Sequence, residues 1–125
     1  MKTATTEPIE LAERKRGARC CDGVADTRLS GAEAEQLSAD LDILAHPIRV
    51  QILDILARNR GHVCVCDIES AVPVKQPTVS HHLKLLRAAG LIDCERHGLW
   101  AYYFIKHDAL GQLRARIGGF LDALG

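Results

Sequence analysis

Aromatic side chains are scarce in this 125-residue chain, at 4%, and several features that would place it outside the ordinary globular classes are absent. No apolar run approaches the roughly 20 residues that a helix needs to cross a bilayer. The N-terminal region carries scattered charges where an export signal requires an apolar stretch, so the expectation is a soluble, cytoplasmic protein. Net charge is missing too, because 16 lysines and arginines balance 16 aspartates and glutamates. A neutral chain gives no support by itself to nucleic-acid binding, and the distribution of charge has to carry that argument. Hydrophobic residues at 47% and charged residues at 26% exclude a largely disordered or fibrous protein, and the length suits one core.

Five cysteines are present, an odd number in a chain without an export signal, which disfavours a framework of structural disulfides. Metal or redox chemistry becomes the working alternative. Residues 1–29 mix charges with Thr, Gly and Pro and show no sustained apolar period, so they read as a mobile N-terminal arm carrying Cys20-Cys21. Residues 30–125 read as one folded domain. Ser30 with Glu33 is a candidate capping box, and Ala32, Leu37, Leu41 and Leu44 recur at helical spacing after it. His46-Pro47 interrupts, and a second helix is predicted from Pro47 to about Arg58, burying Ile48, Ile52, Ile55 and Leu56. Cys64-Val65-Cys66-Asp67 leads into a short helix through about Ala71. A further helix runs from Gln76 to Gly90 with Val79, Leu83 and Leu86 inward. Residues 91–96 and 99–105 read as strands of a hairpin around His97-Gly98, and Leu110, Leu113, Ile117, Phe120 and Leu124 stripe a last helix that Gly118-Gly119 weakens. The fold class expected is mainly α with a two-stranded β wing, a winged helix-turn-helix.

Charge now becomes informative. Between Val74 and Lys106 stand Lys75, Lys84, Arg87, Arg96 and Lys106 against Asp93 and Glu95, whereas the segment from Gly31 to Pro73 is acid-rich. With the apolar residues of the helix from Gln76 turned inward, Gln76, Thr78, Ser80, His81 and Lys84 are left outside. Glutamine pairs with adenine, Ser and Thr reach bases or phosphate, and a helix fits the major groove. Arg96 and His97 sit at the hairpin tip, placed for the minor groove or for phosphate. The partner expected is double-stranded DNA.

His46-Pro-Ile-Arg-Val-Gln-Ile-Leu53, Cys64-Val-Cys-Asp67, Gln76-Pro-Thr-Val-Ser-His-His-Leu83 and Leu85-Leu-Arg-Ala-Ala-Gly-Leu-Ile92 resemble, in that order, the ArsR/SmtB family of metal-responsive repressors, and its arsenic-sensing branch in particular. The resemblance covers about half the chain, from Leu44 to Tyr103. It implies a homodimer joined through its first and last helices, a helix from Gln76 that reads an inverted-repeat operator, and weakening of that contact when metal binds. Lys75 departs from the pattern, since similar proteins often carry a serine cap there.

Consecutive cysteines place two sulfurs within reach of one ion, since their α-carbons are only about 3.8 Å apart. Cys64 and Cys66 share one side of an extended segment but would stand roughly 200° apart around a regular helix, so joint ligation demands a distorted helix start. Arsenic sensors similar to this chain often add a third cysteine one turn on, where this chain has Glu69. A carboxylate is a poor ligand for soft arsenic. The expected metal site is therefore Cys20 and Cys21 with Cys64, Cys66 or both, within one subunit or across two, and the expected inducer is trivalent arsenic, with cadmium or lead as the alternative. A thiol-redox sensor on the same scaffold is a further alternative. No cofactor is expected for folding. His107 and Asp108 supply only half of the family's second, C-terminal site, so no zinc is expected there, and Cys94 is expected to be a buried apolar group. No nucleophile elbow, phosphate loop or cofactor motif supports an enzyme.

Overall fold

Ser30 and Glu33 open the fold as a reciprocal cap. The Glu33 N–H donates to Ser30 Oγ at 3.1 Å and the Ser30 N–H donates to Glu33 Oε1 at 3.1 Å, which starts α1 (Gly31–Leu44). The computed structural model describes residues 25–125, so Cys20 and Cys21 lie outside the described residues. Ser30→Ala removes one half of the box and is expected to lower stability by about 1 kcal/mol, read as a shift in urea midpoint without a change in slope.

His46 caps α2 (Pro47–Arg58). Its extended backbone turns Nδ1 onto the Ile48 N–H at 3.1 Å, and Pro47 occupies the first turn where its missing N–H is harmless. There follow β1 (Val63–Cys64), α3 (Val65–Ala71), α4 (Gln76–Ala88), β2 (Ile92–His97), β3 (Trp100–Ile105) and α5 (His107–Ala123). Helices α3 and α4 with the turn between them form the helix-turn-helix, and Gly90, at φ +80°, makes the exit from α4.

Three local readings change. The sheet has three strands, not two, ordered β1-β3-β2, because β1 pairs Val63 with Tyr103 and Cys64 with Tyr102. A two-residue strand leaves no period in the sequence, and only its partner defines it. The hairpin turn also moves by one residue: His97 pairs with Trp100, so the loop is Gly98-Leu99, with Gly98 at φ +66°. Finally, α5 runs unbroken through Gly118-Gly119.

The core draws on every element after α1: Ile48, Ile52 and Leu56 from α2, Val63, Ile68, then Val79, Leu83 and Leu86 from α4, with Ile92, Ile105 and Leu113. Ile55 is only half-buried, and Ala32 and Leu41 are exposed, so α1 buries little of its expected stripe within one chain. Its tie to α5 is ionic instead. Arg116 donates to both Asp40 oxygens, at 2.7 and 2.9 Å, and Gln36 donates to the same carboxylate at 3.0 Å. The Arg116 guanidinium holds the Asp40 carboxyl below its ordinary range despite its burial. No helix among the described residues is long and apolar enough to cross a membrane.

Candidate functional site

The exposed face of α4 follows from its own spacing. Val79, His82, Leu83 and Leu86 fall at i, i+3, i+4 and i+7 and are all buried, which forces Gln76, Thr78, Ser80, His81 and Lys84 to the surface, where each is exposed. Lys75, the N-cap, makes no side-chain hydrogen bond to the helix, so the first turn is not closed off by its own cap. The wing extends beyond the core along β2: Ile92 is buried, Cys94 half-buried and Arg96 exposed on one face. Cys94 is thus not the buried apolar group expected, because the core ends at Ile92; it pairs across the ladder with Tyr103, whose phenol burial pushes to a higher pKa. His97, also exposed, lies 3.4 Å from Glu95 and edge-on to Tyr102.

His82 differs from its neighbour His81: it is buried, although a second histidine beside an exposed one reads as solvated. The signal was present, because position 82 shares the face of Val79 and Leu86. It is 5% exposed, stacks on His46 at 4.2 Å and meets Arg49 Nη1 through Nδ1 at 3.2 Å. Burial first, and then the neighbouring His46, Arg49 and His81 charges, push its pKa below the ordinary 6.5. Below that value the unfolded chain takes up a proton that the folded chain resists, so stability falls as pH drops from about 6.5. Urea unfolding at a series of pH values between 7.5 and 5 is expected to show this decline, and His82→Gln to flatten it.

Cys64 and Cys66 stand at a junction of secondary structure. Cys64 ends β1 and is the extended N-cap of α3, while Cys66 lies in the first turn, and their sulfurs approach to 2.7 Å. The strand-to-helix junction removes the difficulty of a regular helix, because only one of the pair has helical geometry. The Cys64 thiol beside it, with some burial, pushes the Cys66 thiol up, against a backbone N–H from Asp67 that favours the thiolate. Cys66 is exposed and Cys64 half-buried, so both are accessible to a solute. Two sulfurs about 2.3 Å from one tetrahedral ion would stand roughly 3.8 Å apart, which requires a small opening of the pair. Glu69 is half-buried one turn further on. Among the described residues, no group of three or more His, Cys, Asp or Glu is placed to hold a metal ion. The described chain brings only two soft donors together, Cys64 and Cys66, and the third described thiol, Cys94 on β2, is not grouped with them.

A sequence model described as bacterial regulatory protein, arsR family, matches residues 46–93, from the cap of α2 to the first half of β2. The cadmium resistance transcriptional regulatory protein CadC of Listeria innocua is 32% identical over 83 residues, 66% of this chain and 69% of that one. The chain belongs to the ArsR family. It is a winged helix-turn-helix transcriptional repressor, and ArsR-family proteins are DNA-binding regulators, not enzymes. An arsenic resistance transcriptional regulator of Pseudomonas putida is 35% identical over 80 residues, 64% of this chain and 62% of that relative. Among solved structures, the homodimeric winged helix-turn-helix domain of a possible ArsR-family regulator from Mycobacterium bovis superposes with a TM-score of 0.56 at 29% identity, covering 80% of this chain and 91% of that one.

Proposed function

We propose that this ArsR-family repressor leaves its operator when trivalent arsenic is captured by Cys64 and Cys66 together with Cys20 and Cys21. The observation that carries the reading is the exposed thiol pair, 2.7 Å between sulfurs, at the start of the helix that precedes the recognition helix. A soft donor pair suits a soft ion, and since no third donor, Cys94 included, is grouped with the pair among the described residues, the reading draws further sulfur from the arm. Arsenic in three-thiolate coordination needs one of the arm cysteines. The similarity to CadC favours cadmium as the second reading, with all four thiolates engaged, and lead shares the chemistry of arsenic.

In the ion-free repressor, Gln76, Thr78, Ser80, His81 and Lys84 read the major groove, and Arg96 and His97 meet the backbone or minor groove from the wing. Two copies related by a twofold axis match an inverted repeat. Their interface is α1 with α5. Exposed Leu41, Leu121 and Leu124 support this, as does an apolar groove between these helices lined by Leu37 and Phe120. Coupling runs through α3, whose fully buried Ile68 packs in one cluster with Val79 and Leu83 of α4.

Titration of arsenite, cadmium, lead and zinc against a labelled operator complex, with thiolate absorption followed in parallel, tests the reading. Release by arsenite at stoichiometric amounts supports it. Release by no ion overturns it, and release by peroxide or persulfide that persists in chelator moves the sensor to thiol oxidation.

A further inference from the structure

We infer that the tip of the β2–β3 hairpin is an apolar wedge, Leu99 backed by Trp100, that enters the minor groove of the operator and opens a base step. This rests on the DNA-binding reading above and adds a contact that polar readout does not supply.

Leu99 is 92% exposed and Trp100 54% exposed, and the two are consecutive. Trp100 is the only tryptophan of the chain. The other aromatic residues of β3, Tyr102, Tyr103 and Phe104, are half-buried, so the strand has places to cover an aromatic ring and leaves its largest one outside. The cause lies in the turn. His97 pairs with Trp100, which leaves a two-residue loop, and a loop that short gives Leu99 no neighbouring chain to pack on. Gly98, at φ +66°, sets the shape of the loop, so the leucine projects from a defined tip.

Charge selects the occupant. The two acids of the hairpin are both engaged, Asp93 by Arg87 at 3.1 Å and Glu95 by His62 and His97 at 3.3 and 3.4 Å. Arg96 is exposed and has no carboxylate partner among the described residues. The leading edge is thus apolar and its flank cationic. A minor groove about 6 Å wide admits a hairpin tip but no helix, and it is bordered by phosphates that Arg96 complements. Leucine neither hydrogen-bonds a base edge nor attracts a phosphate, so what it contributes there is burial between unstacked bases.

The test uses the full-length, reduced protein without inducer and a duplex that the unmodified protein selects from a randomised pool. Leu99→Ser is expected to bind that duplex about tenfold more weakly, the low end for exposing a leucine side chain, with an unchanged salt dependence. Leu99→Lys is expected to weaken binding as well, despite its added charge. Trp100 emission should shift to the blue on binding, and energy transfer between labelled duplex ends should report a bend that Leu99→Ser reduces. Unchanged affinity and bend in Leu99→Ser would overturn the wedge. So would tighter binding and a steeper salt dependence in Leu99→Lys, which would put the tip on phosphate. Failure of the unmodified protein to select any duplex would instead overturn the DNA-binding reading on which the wedge rests.

Discussion

Serine at both Cys64 and Cys66 is expected to leave operator affinity within about twofold and to abolish release by arsenite, as read by anisotropy of a labelled duplex during titration. Serine matches cysteine in shape, and neither side chain belongs to the core, so the fold has little reason to change. At position 64 the hydroxyl even has an advantage, because Cys64 is an N-cap whose side chain makes no capping hydrogen bond to a backbone N–H of α3, and serine is a preferred residue there. What is lost is the soft donor, since an alcohol does not replace a thiolate toward arsenic. With typical coupling of about 1–3 kcal/mol between sites, the lost response corresponds to roughly 5- to 150-fold in operator affinity. Persistence of the response in the double variant would remove the pair from the sensor. Serine at Cys20 and Cys21 separates the contributions: an unaltered arsenite response there would remove the arm from the site while leaving Cys64 and Cys66 in it.

Arg49→Ala is expected to lower stability by on the order of 3 kcal/mol. Arg49 is a buried cation, 9% exposed, on α2. Its Nε donates to the Ile43 carbonyl at 2.7 Å, its Nη2 to the Asp42 carbonyl at 3.0 Å, and its Nη1 faces His82 Nδ1 at 3.2 Å. The two carbonyls lie in the last turn of α1, where a cation also meets the negative end of the helix dipole. One guanidinium therefore closes α1, ties it to α2 and orients His82 on the buried face of α4. Alanine leaves these acceptors without their partner and opens a void, and a drop in thermal midpoint on the order of 10–20 °C should follow for a domain of this size. Arg49→Lys tests the geometry, because a single ammonium cannot present the same three-way planar fork. It should recover only a part of the loss, and full recovery would reduce the role of Arg49 to charge alone.

Much of this architecture is legible in the sequence, for local reasons. Ser30-Glu33 and His46-Pro47 fix helix starts through hydrogen bonds spanning two or three residues, and the spacing of Val79, Leu83 and Leu86 turns α4. The surface positions of Gln76, Thr78, Ser80, His81 and Lys84 follow from that face alone. The rest depends on residues far apart in the chain. β1 exists because Tyr102 and Tyr103 accept it as a neighbour, and its two residues carry no period. Asp40 meets Arg116 across 76 positions, and Arg49 meets His82 across 33.

By itself, the sequence determined the order of the helices and the hairpin, the exposed face of α4 and the soft chemistry of Cys64 and Cys66, because caps, periodicity and ligand type are properties of short segments. Only the tertiary structure decided that the thiols straddle a strand-to-helix junction and so come together without a distorted helix. It alone brought Arg49 and His46 against His82 and left Leu99 at the outermost point of the wing. In each case the reason is the same: burial and approach depend on which distant surface the fold brings alongside a side chain, and a short segment holds no record of that neighbour.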